Sequence, residues 1–326
     1  MDDEIKVSIH CLAYNHANYI EQAIQSFLRQ KCNFKFEVLI HDDASKDGTA
    51  DIIRKYEKMY PDIIKGYYQK ENQYSKGVYI LGAFQYPRMR GKYVAVCEGD
   101  DYWIDENKLQ KQYDYLESHE ECSLVFHNAI VVDVNNKVVR NSFMPKNVFY
   151  ENYFKDSDSL YSCDEIIKLD FAPTNSLFFR RKDVPDYLDF FNKKRRVCGD
   201  LAMRIFFSSR GYAFFFKDKM SAYRSGVSGS ASQLANESFL SRIKTLLGHI
   251  DILEDFNLLT NGLHEKSIKE AINLKLFCYY FAIGSAYCCK NKQYRQFFKR
   301  ASFMVKLRFF MRCHFPRLYR LVSKAK

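Results

Sequence analysis

The chain has 326 residues, 47% hydrophobic and 16% aromatic, with only 13 glycines and 6 prolines, which excludes a low-complexity or largely disordered polypeptide. Its length allows one large α/β domain with an appendage, or two domains. The net charge of +11 is unevenly placed: residues 271–326 hold 13 Lys/Arg and no Asp/Glu, and residues 1–270 hold 37 Lys/Arg against 39 Asp/Glu, so the basicity belongs to the tail.

Lys6 to Ala13 is predicted to be a strand, and Ala17 to Gln30 a helix with Ile20, Ala23, Ile24, Phe27 and Leu28 on one face. Phe36 to Ile40 is a second buried strand, and Asp47 is the N-cap of a second helix that carries Ile52, Ile53 and Tyr56. Ile63 to Tyr68 is a third strand, Tyr79 to Met89 is partly helical, and Tyr93 to Cys97 is a fourth strand. Asp105 to Ser118 is a helix with Asp105 as its N-cap. This alternation predicts an open parallel sheet with helices on both faces. Such sheets bind ligands at the carboxyl ends of their strands, and Tyr14-Asn15, Asp42-Asp43 and Asp100-Asp101 all fall there.

The middle of the chain is richer in strands, at Leu124 to Val134, Ser176 to Phe179, Ala213 to Phe216 and Met220 to Tyr223, with a helix from Leu201 to Arg210. Helical patterns follow from Leu240 to Leu253 and Lys266 to Ala286, and a soft domain boundary is expected near residue 230. The acidic start, Met1-Asp2-Asp3-Glu4, has no basic-then-apolar leader, so secretion is not expected. No apolar run is long enough to span a bilayer. Ten cysteines without a C-x-x-C pair then read as reduced, cytoplasmic thiols rather than a structural zinc site.

The stretch most informative about chemistry is Glu98-Gly99-Asp100-Asp101-Tyr102-Trp103, which follows an apolar strand. Adjacent ionised carboxylates repel, and Mg²⁺ or Mn²⁺, which takes oxygen ligands, is the usual compensation. A strand-end acidic pair therefore reads either as a metal–nucleotide site or as a solvated acidic turn or cap. No G-x-G-x-x-G or Walker lysine motif follows the first strand, which removes the main support for dinucleotide binding or ATP hydrolysis.

The string HDDASKDGT at residues 41–49 resembles the D-D-x-S-x-D-G-T nucleotide-binding signature of glycosyltransferase family two. SIHCLAYNHANYIEQAIQSFLRQ resembles that family's first strand, loop and helix, and EGDDYW resembles its D-x-D-type metal motif. The resemblance covers roughly residues 5–230. It implies a GT-A (Rossmann-like) α/β fold over residues 1–230 with a helical, basic C-terminal region over 231–326. It also implies a nucleotide-diphosphate sugar donor, UDP-linked, a divalent metal and inversion at the anomeric carbon. The acceptor would be a glycan or lipid-linked hydroxyl in bacterial capsule, O-antigen or lipooligosaccharide assembly.

By the same resemblance, Ala13 and Tyr14 line the base and ribose pocket, and Asp43, with Asp42 beside it, accepts the uracil ring N–H. Either aspartate has a cap of the following helix as its alternative role. Asp101 is the direct metal ligand, and Asp100 contacts ribose or metal-bound water. Trp103 packs on a sugar ring or is ordinary core. Lys76 contacts the diphosphate or base, or is a surface lysine, and Thr174 and Asn175 fall in the acceptor pocket. Cys198-Gly199-Asp200 resembles the family's E-D or G-D motif, with Asp200 as the catalytic base or, alternatively, a helix cap. Tyr223-Arg224-Ser225-Gly226 resembles a Y-R-x-H loop that lacks its histidine, leaving Arg224 to pair with phosphate oxygens.

The tail interleaves cations with aromatics at residues 291–300, 305–311 and 315–321. Aromatics at 297, 298, 303, 309 and 310 are expected on one helical face, which suits peripheral contact with an anionic membrane at its cytoplasmic side. The alternative is a helical cap with a solvated basic face. No nucleic-acid motif accompanies the charge, so a nucleic-acid partner is not expected. A catalytically silent nucleotide-sugar-binding or scaffold protein of the same fold is the rival reading. A sugar nucleotidyltransferase is disfavoured because AYNHAN is not a glycine-rich basic loop.

Overall fold

In Ile5–Ala13, strand β1, the side chains of Val7, Ile9 and Cys11 point to one face and Ser8 and His10 to the other, and all are buried. A strand covered on both faces belongs at the centre of a sheet. β1 lies between β2 (Lys35–Asp42) and β4 (Tyr93–Val96), parallel to both, and β3 (Ile64–Tyr68) extends the parallel set beyond β2. The computed structural model describes residues 4–144, 149–150, 153–169, 172–191 and 199–315.

The remaining strands are β5 (Tyr102–Trp103), β6 (Cys122–Val132), β7 (Val138–Arg140), β8 (Ser159–Tyr161), β9 (Phe178–Arg180) and β10 (Tyr212–Arg224). Together they give a sheet of order β3-β2-β1-β4-β9-β6-β10-β5, with β7 on β6 and β8 on β10. The sheet is mixed rather than parallel throughout, because β9 runs antiparallel between β4 and β6. The two short strands expected over 213–223 are one strand of 13 residues. Its exposed Lys217-Asp218-Lys219 is a bulge where the register against β6 shifts, and this polar interruption looks like a gap in the sequence.

Helices α1 (Ile20–Leu28), α2 (Thr49–Met59) and α3 (Lys108–Ser118) are amphipathic elements linked to the first strands. Residues of all three share a core with the Val7/Ile9/Cys11 face of the sheet. α2 begins one residue later than expected: Gly48 takes the cap position at φ 92°, and Asp47 Oδ1 accepts from the Thr49 amide at 3.1 Å. α3 likewise starts at Lys108, with Asp105 Oδ1 accepting from the Asn107 amide at 2.8 Å.

The opposite face is covered by α4 (Cys163–Lys168), α5 (Val184–Phe191), α6 (Gly199–Ser208) and part of the C-terminal helices. α7 (Ala231–Glu237) leads into α8 (Phe239–Leu259) and α9 (Glu265–Ala282). Ile252, Leu253, Phe256, Ile268 and Ala271 belong to the same core as Ile166 and Phe206, so the chain turns all-helical near 230 without a break in packing. α10 (Tyr287–Lys290), α11 (Lys292–Arg300) and α12 (Phe303–His314) form a further layer on α9 around Phe277 and Phe297.

The tail aromatics do not share one face. Phe297 and Phe309 are buried, whereas Phe303 and Phe310 are exposed, because α11 and α12 are separate helices with the break at Ala301-Ser302. The expected basic segment at 315–321 lies outside the described residues beyond its first position. Among the described residues no helix is long and apolar enough to cross a membrane.

At the end of the sheet remote from the site, buried Glu37 accepts from Ser8 Oγ (2.7 Å), the Arg90 amide (2.8 Å) and Arg90 Nε (2.8 Å). The Gly91 amide donates to Ser8 Oγ at 2.9 Å. A Cβ on Gly91 would lie 2.4 Å from the Ser8 amide nitrogen and 2.6 Å from the Val7 carbonyl carbon, and backbone cannot swing aside. Gly91→Ala is expected to destabilise the fold by about 1–3 kcal/mol. Urea denaturation checks this, and an unchanged midpoint would contradict the packing described.

Candidate active site at the strand ends

Two loops meet above β1 and β2. Asn15 (φ 55°) and Ala44 (φ 65°) both take the left-handed conformation, which is costly for a non-glycine residue. The loops are joined by cross-bonds that over-determine them. The Asn15 amide donates to Ser45 Oγ (2.8 Å), the His16 amide to Thr49 Oγ1 (2.8 Å) and the Ala17 amide to Asp47 Oδ2 (2.9 Å). The Lys46 amide donates back to Asn15 Oδ1 at 2.9 Å. The polar string 41–49 thus shapes the first loop as well as its own.

Ala13 is buried at the end of β1 and its carbonyl accepts from the Asp43 amide at 2.9 Å, while Tyr14 stands exposed beside it. Asp42 is buried, with Oδ2 accepting from the Ser45 amide at 3.2 Å. Asp43 accepts the amides of Gln73 (2.7 Å) and Tyr74 (3.0 Å), so it holds the loop that carries Lys76. Lys76 itself is exposed and pairs with Glu71.

The acidic turn follows β4. One carboxylate oxygen from each of Glu98, Asp100 and Asp101 lies within 4.8 Å of the others. Gly99 makes this turn possible. Its amide donates to the Leu12 carbonyl at 2.7 Å, and a Cβ there would sit 2.9 Å from Ile20 Cδ1 and 3.0 Å from His16 Nδ1. Asp101 is oriented on both oxygens, Oδ1 by the Arg224 amide (2.7 Å) and Oδ2 by Asn175 Nδ2 (2.9 Å). Ser221 Oγ in turn donates to Asn175 Oδ1 at 2.7 Å.

Burial, then repulsion from Asp100 and Asp200, raises Glu98 to about 8. Burial and Asp100 likewise push Asp101 well above the usual carboxylate range. His16 Nε2 is 3.9 Å from Asp100 Oδ2, but burial lowers the imidazole below its ordinary value, so it is mainly neutral near pH 7 and does not offset the charge. The clustered hard oxygens, two of them fixed by donors that aim the remaining lone pairs, fit a divalent cation such as Mg²⁺ or Mn²⁺.

Arg224 departs from its expected role. It is buried, and its Nε donates to the Asp100 carbonyl (2.8 Å), Nη1 to Asn136 Oδ1 (2.9 Å) and Nη2 to Gln22 Oε1 (2.8 Å). Its guanidinium also lies over Tyr19 and Tyr102, at 4.7 and 5.4 Å from the ring centres. These neutral acceptors and rings hold the cation inside the fold, where it ties the acidic turn to α1 and the end of β10.

Trp103 is also not an open platform. It is 1% exposed, with Phe27 edge-on at 4.8 Å, the Lys108 ammonium 4.0 Å from its ring centre, and Nε1 donating to the Asn175 carbonyl. A sugar has no ring face to reach. Asn175 is fully buried and serves Asp101 rather than an acceptor pocket, and Thr174 beside it is half-buried.

Asp200 sits in the first turn of α6, half-buried, near enough to the acidic turn and Tyr79 for its charge to bear on Glu98 and on the Tyr79 hydroxyl. Tyr79 Oη is 2.8 Å from Tyr187 Oη, and Tyr187 Oη donates to the Gly199 carbonyl at 3.5 Å. Cys198 lies outside the described residues. Sequence reasoning missed Glu98 as a third carboxylate, although it stands two residues before Asp100. It also missed the support from Asn175 and Ser221, which are remote in sequence and left no local signal.

Asn175→Ala would leave Asp101 Oδ2 without its donor in a buried place. Loss of such an outer partner typically costs about 10–100-fold in metal affinity. Calorimetric titration with Mn²⁺ is expected to show at least a tenfold weakening with the fold retained, and unchanged affinity would remove Asn175 from this role.

The sequence profile of "Glycosyl transferase family 2" matches residues 8–184. An uncharacterized Mycobacterium bovis protein is 33% identical over 214 residues, covering 60% of this chain and 56% of the relative. The minor teichoic acid biosynthesis protein GgaA of Bacillus subtilis is 24% identical over 231 residues, covering 63% of this chain and 51% of GgaA. The chain thus spans little more than half the length of these relatives. The crystal structure of S. aureus TarS 1–349 in complex with UDP-GlcNAc superposes with a TM-score of 0.63 at 18% identity, covering 97% of this chain and 88% of that one. That likeness carries the GT-A fold with its helical C-terminal region. With the profile matching more than half of its length, the chain belongs to glycosyl transferase family 2.

Proposed function

We propose that this protein is an inverting, metal-dependent glycosyltransferase. It would move a sugar from a UDP-sugar to a hydroxyl of a glycan or lipid-linked acceptor in cell-surface polysaccharide assembly. The observation that carries the reading is the cluster of Glu98, Asp100 and Asp101 at the carboxyl end of β4, with Asp200 near enough for its charge to bear on Glu98. GgaA, named for teichoic acid biosynthesis, and TarS bound to UDP-GlcNAc support the polymer class and the donor type.

In this reading Asp101 and its acidic neighbours hold Mn²⁺ or Mg²⁺, which would neutralise the departing diphosphate as a Lewis acid. Ala13, Tyr14, Asp42 and Asp43 lie at the strand ends where the uridine would bind, with Asp100 toward the ribose. Asp43 offers its remaining lone pairs to the ring N–H while keeping the Gln73–Tyr74 amides, so base binding and loop order are linked. Lys76, on that loop, can leave its exposed pair with Glu71 for the diphosphate at little cost. Asp200 removes the acceptor hydroxyl proton as that oxygen attacks the anomeric carbon. The bond to the diphosphate oxygen breaks with its electron pair, and attack from the opposite face inverts the centre. A silent nucleotide-sugar-binding scaffold would need neither Asp200 nor its approach to the acidic turn.

Asp200→Asn is expected to lower the transfer rate by roughly 10²–10⁴-fold while UDP-sugar affinity in Mn²⁺ stays within a few-fold. Asp101→Asn is expected to abolish metal-dependent donor binding. Calorimetry with UDP-sugars and a chromatographic transfer assay check both. Wild-type turnover by Asp200→Asn would assign the base elsewhere, and metal-independent donor binding by the native protein would overturn the metal role.

A further inference from the structure

Helix α12 is apolar on two opposite faces. Its inner face carries Phe309, which stacks on Phe281 with centroids 4.6 Å apart and meets Phe298 edge-on at 5.6 Å. Its outer face carries Phe303, Leu307 and Phe310 at helical spacing, 76%, 42% and 50% exposed, with Met304 beside them at 56%. A helix that is apolar all round is normally covered on every side. Lys306 and Arg308 flank the outer stripe, one on each side.

The neighbouring helix adds charge of one sign. α11 buries Tyr294 and Phe297 and exposes Lys292, Arg295, Lys299 and Arg300. Only Ala301 and Ser302 separate the two helices. No Asp or Glu occurs anywhere in residues 271–326 to pair with these cations. Arg300 donates to the Tyr153 hydroxyl, which donates to Glu270, and the other cations border an apolar wedge complementary to a surface that is anionic outside and hydrocarbon beneath. A second copy meeting this face about a two-fold axis would set like charges against each other, which disfavours self-association.

We propose that the outer face of α12, with the cations of α11, seats the protein on an anionic phospholipid bilayer. Phe303, Met304, Leu307 and Phe310 enter the headgroup–acyl boundary, and the Lys and Arg stems extend to the phosphates. The helix lies in the interface and does not cross it. This surface is independent of the transfer chemistry, since it uses none of the carboxylates of the acidic turn.

The test is flotation of the full chain with vesicles of phosphatidylcholine alone or with phosphatidylglycerol added. Wild type is expected to bind the anionic vesicles at least about tenfold better, with binding falling as salt rises. The double variant Phe303→Ser/Phe310→Ser, altered only at exposed positions, is expected to lose about tenfold and keep its circular dichroism and melting curve. Asp101→Asn is expected to bind vesicles as wild type does, which separates this proposal from the enzymatic one. Equal binding of wild type and the double variant to anionic vesicles would overturn it. So would a dimer in analytical ultracentrifugation that the double variant abolishes, because the face would then belong to a second copy.

Discussion

Three carboxylates crowded into one turn, two of them buried, repel one another when ionised, and the architecture around the site follows from that constraint. The protein does not relieve the repulsion with a salt bridge. The nearest histidine is held mainly neutral by burial, and Arg224, the buried arginine against the turn, gives its guanidinium to carbonyl and amide oxygens. What reaches the carboxylates is a small set of neutral donors, the Arg224 amide and Asn175 Nδ2, that orient Asp101 without adding a positive charge. Carboxylates that burial and mutual repulsion push toward protonation are the groups a divalent cation would stabilise most as anions.

That arrangement explains why the site draws on so much of the chain. Arg224 lies at the end of β10, Asn175 in the turn before β9, Gln22 in α1, and Gly99 against Leu12 at the end of β1. Trp103 joins the same framework from beneath, through its indole N–H to the Asn175 carbonyl and its ring under the Lys108 ammonium. The antiparallel insertion of β9 places Asn175 where it can serve the acidic turn from the opposite side of β4. A wholly parallel sheet would have had no chain reversal there to supply it.

The elements legible in the sequence were those governed by local periodicity. β1, β2 and β4 read correctly because apolar runs bounded by polar loops are local facts, and so did the acidic turn and the 41–49 string that close them. The direction of β9 was not legible, since a three-residue strand with two phenylalanines and an arginine carries no sign of which way it will run. β10 was read as two pieces because its bulge is as polar as a loop. Among site residues, the aspartates were recognisable by motif and position. Trp103 takes its core alternative, and Asn175 and Arg224 are buried and bonded within the fold; a motif reports residue type and order, while burial and partner choice depend on segments far away in the chain.

The fixed position of Arg224 bears on the missing histidine of the 223–226 segment. A loop that closes over a diphosphate needs a side chain free to reach it, and this arginine is fixed by four kinds of contact: its own amide to Asp101, its Nε to Asp100, its Nη atoms to Gln22 and Asn136, and its plane between Tyr19 and Tyr102. Releasing it would uncover a buried cation and loosen Asp101 together. The segment therefore acts as a brace for Asp101 and the acidic turn. In the proposed reaction, charge compensation for a diphosphate would then fall to the cation and to exposed lysines such as Lys76 on the loop that Asp43 holds. If the site binds a nucleotide diphosphate as proposed, binding is expected to depend steeply on the divalent ion, because Arg224 is committed to the fold and His16 is mainly neutral.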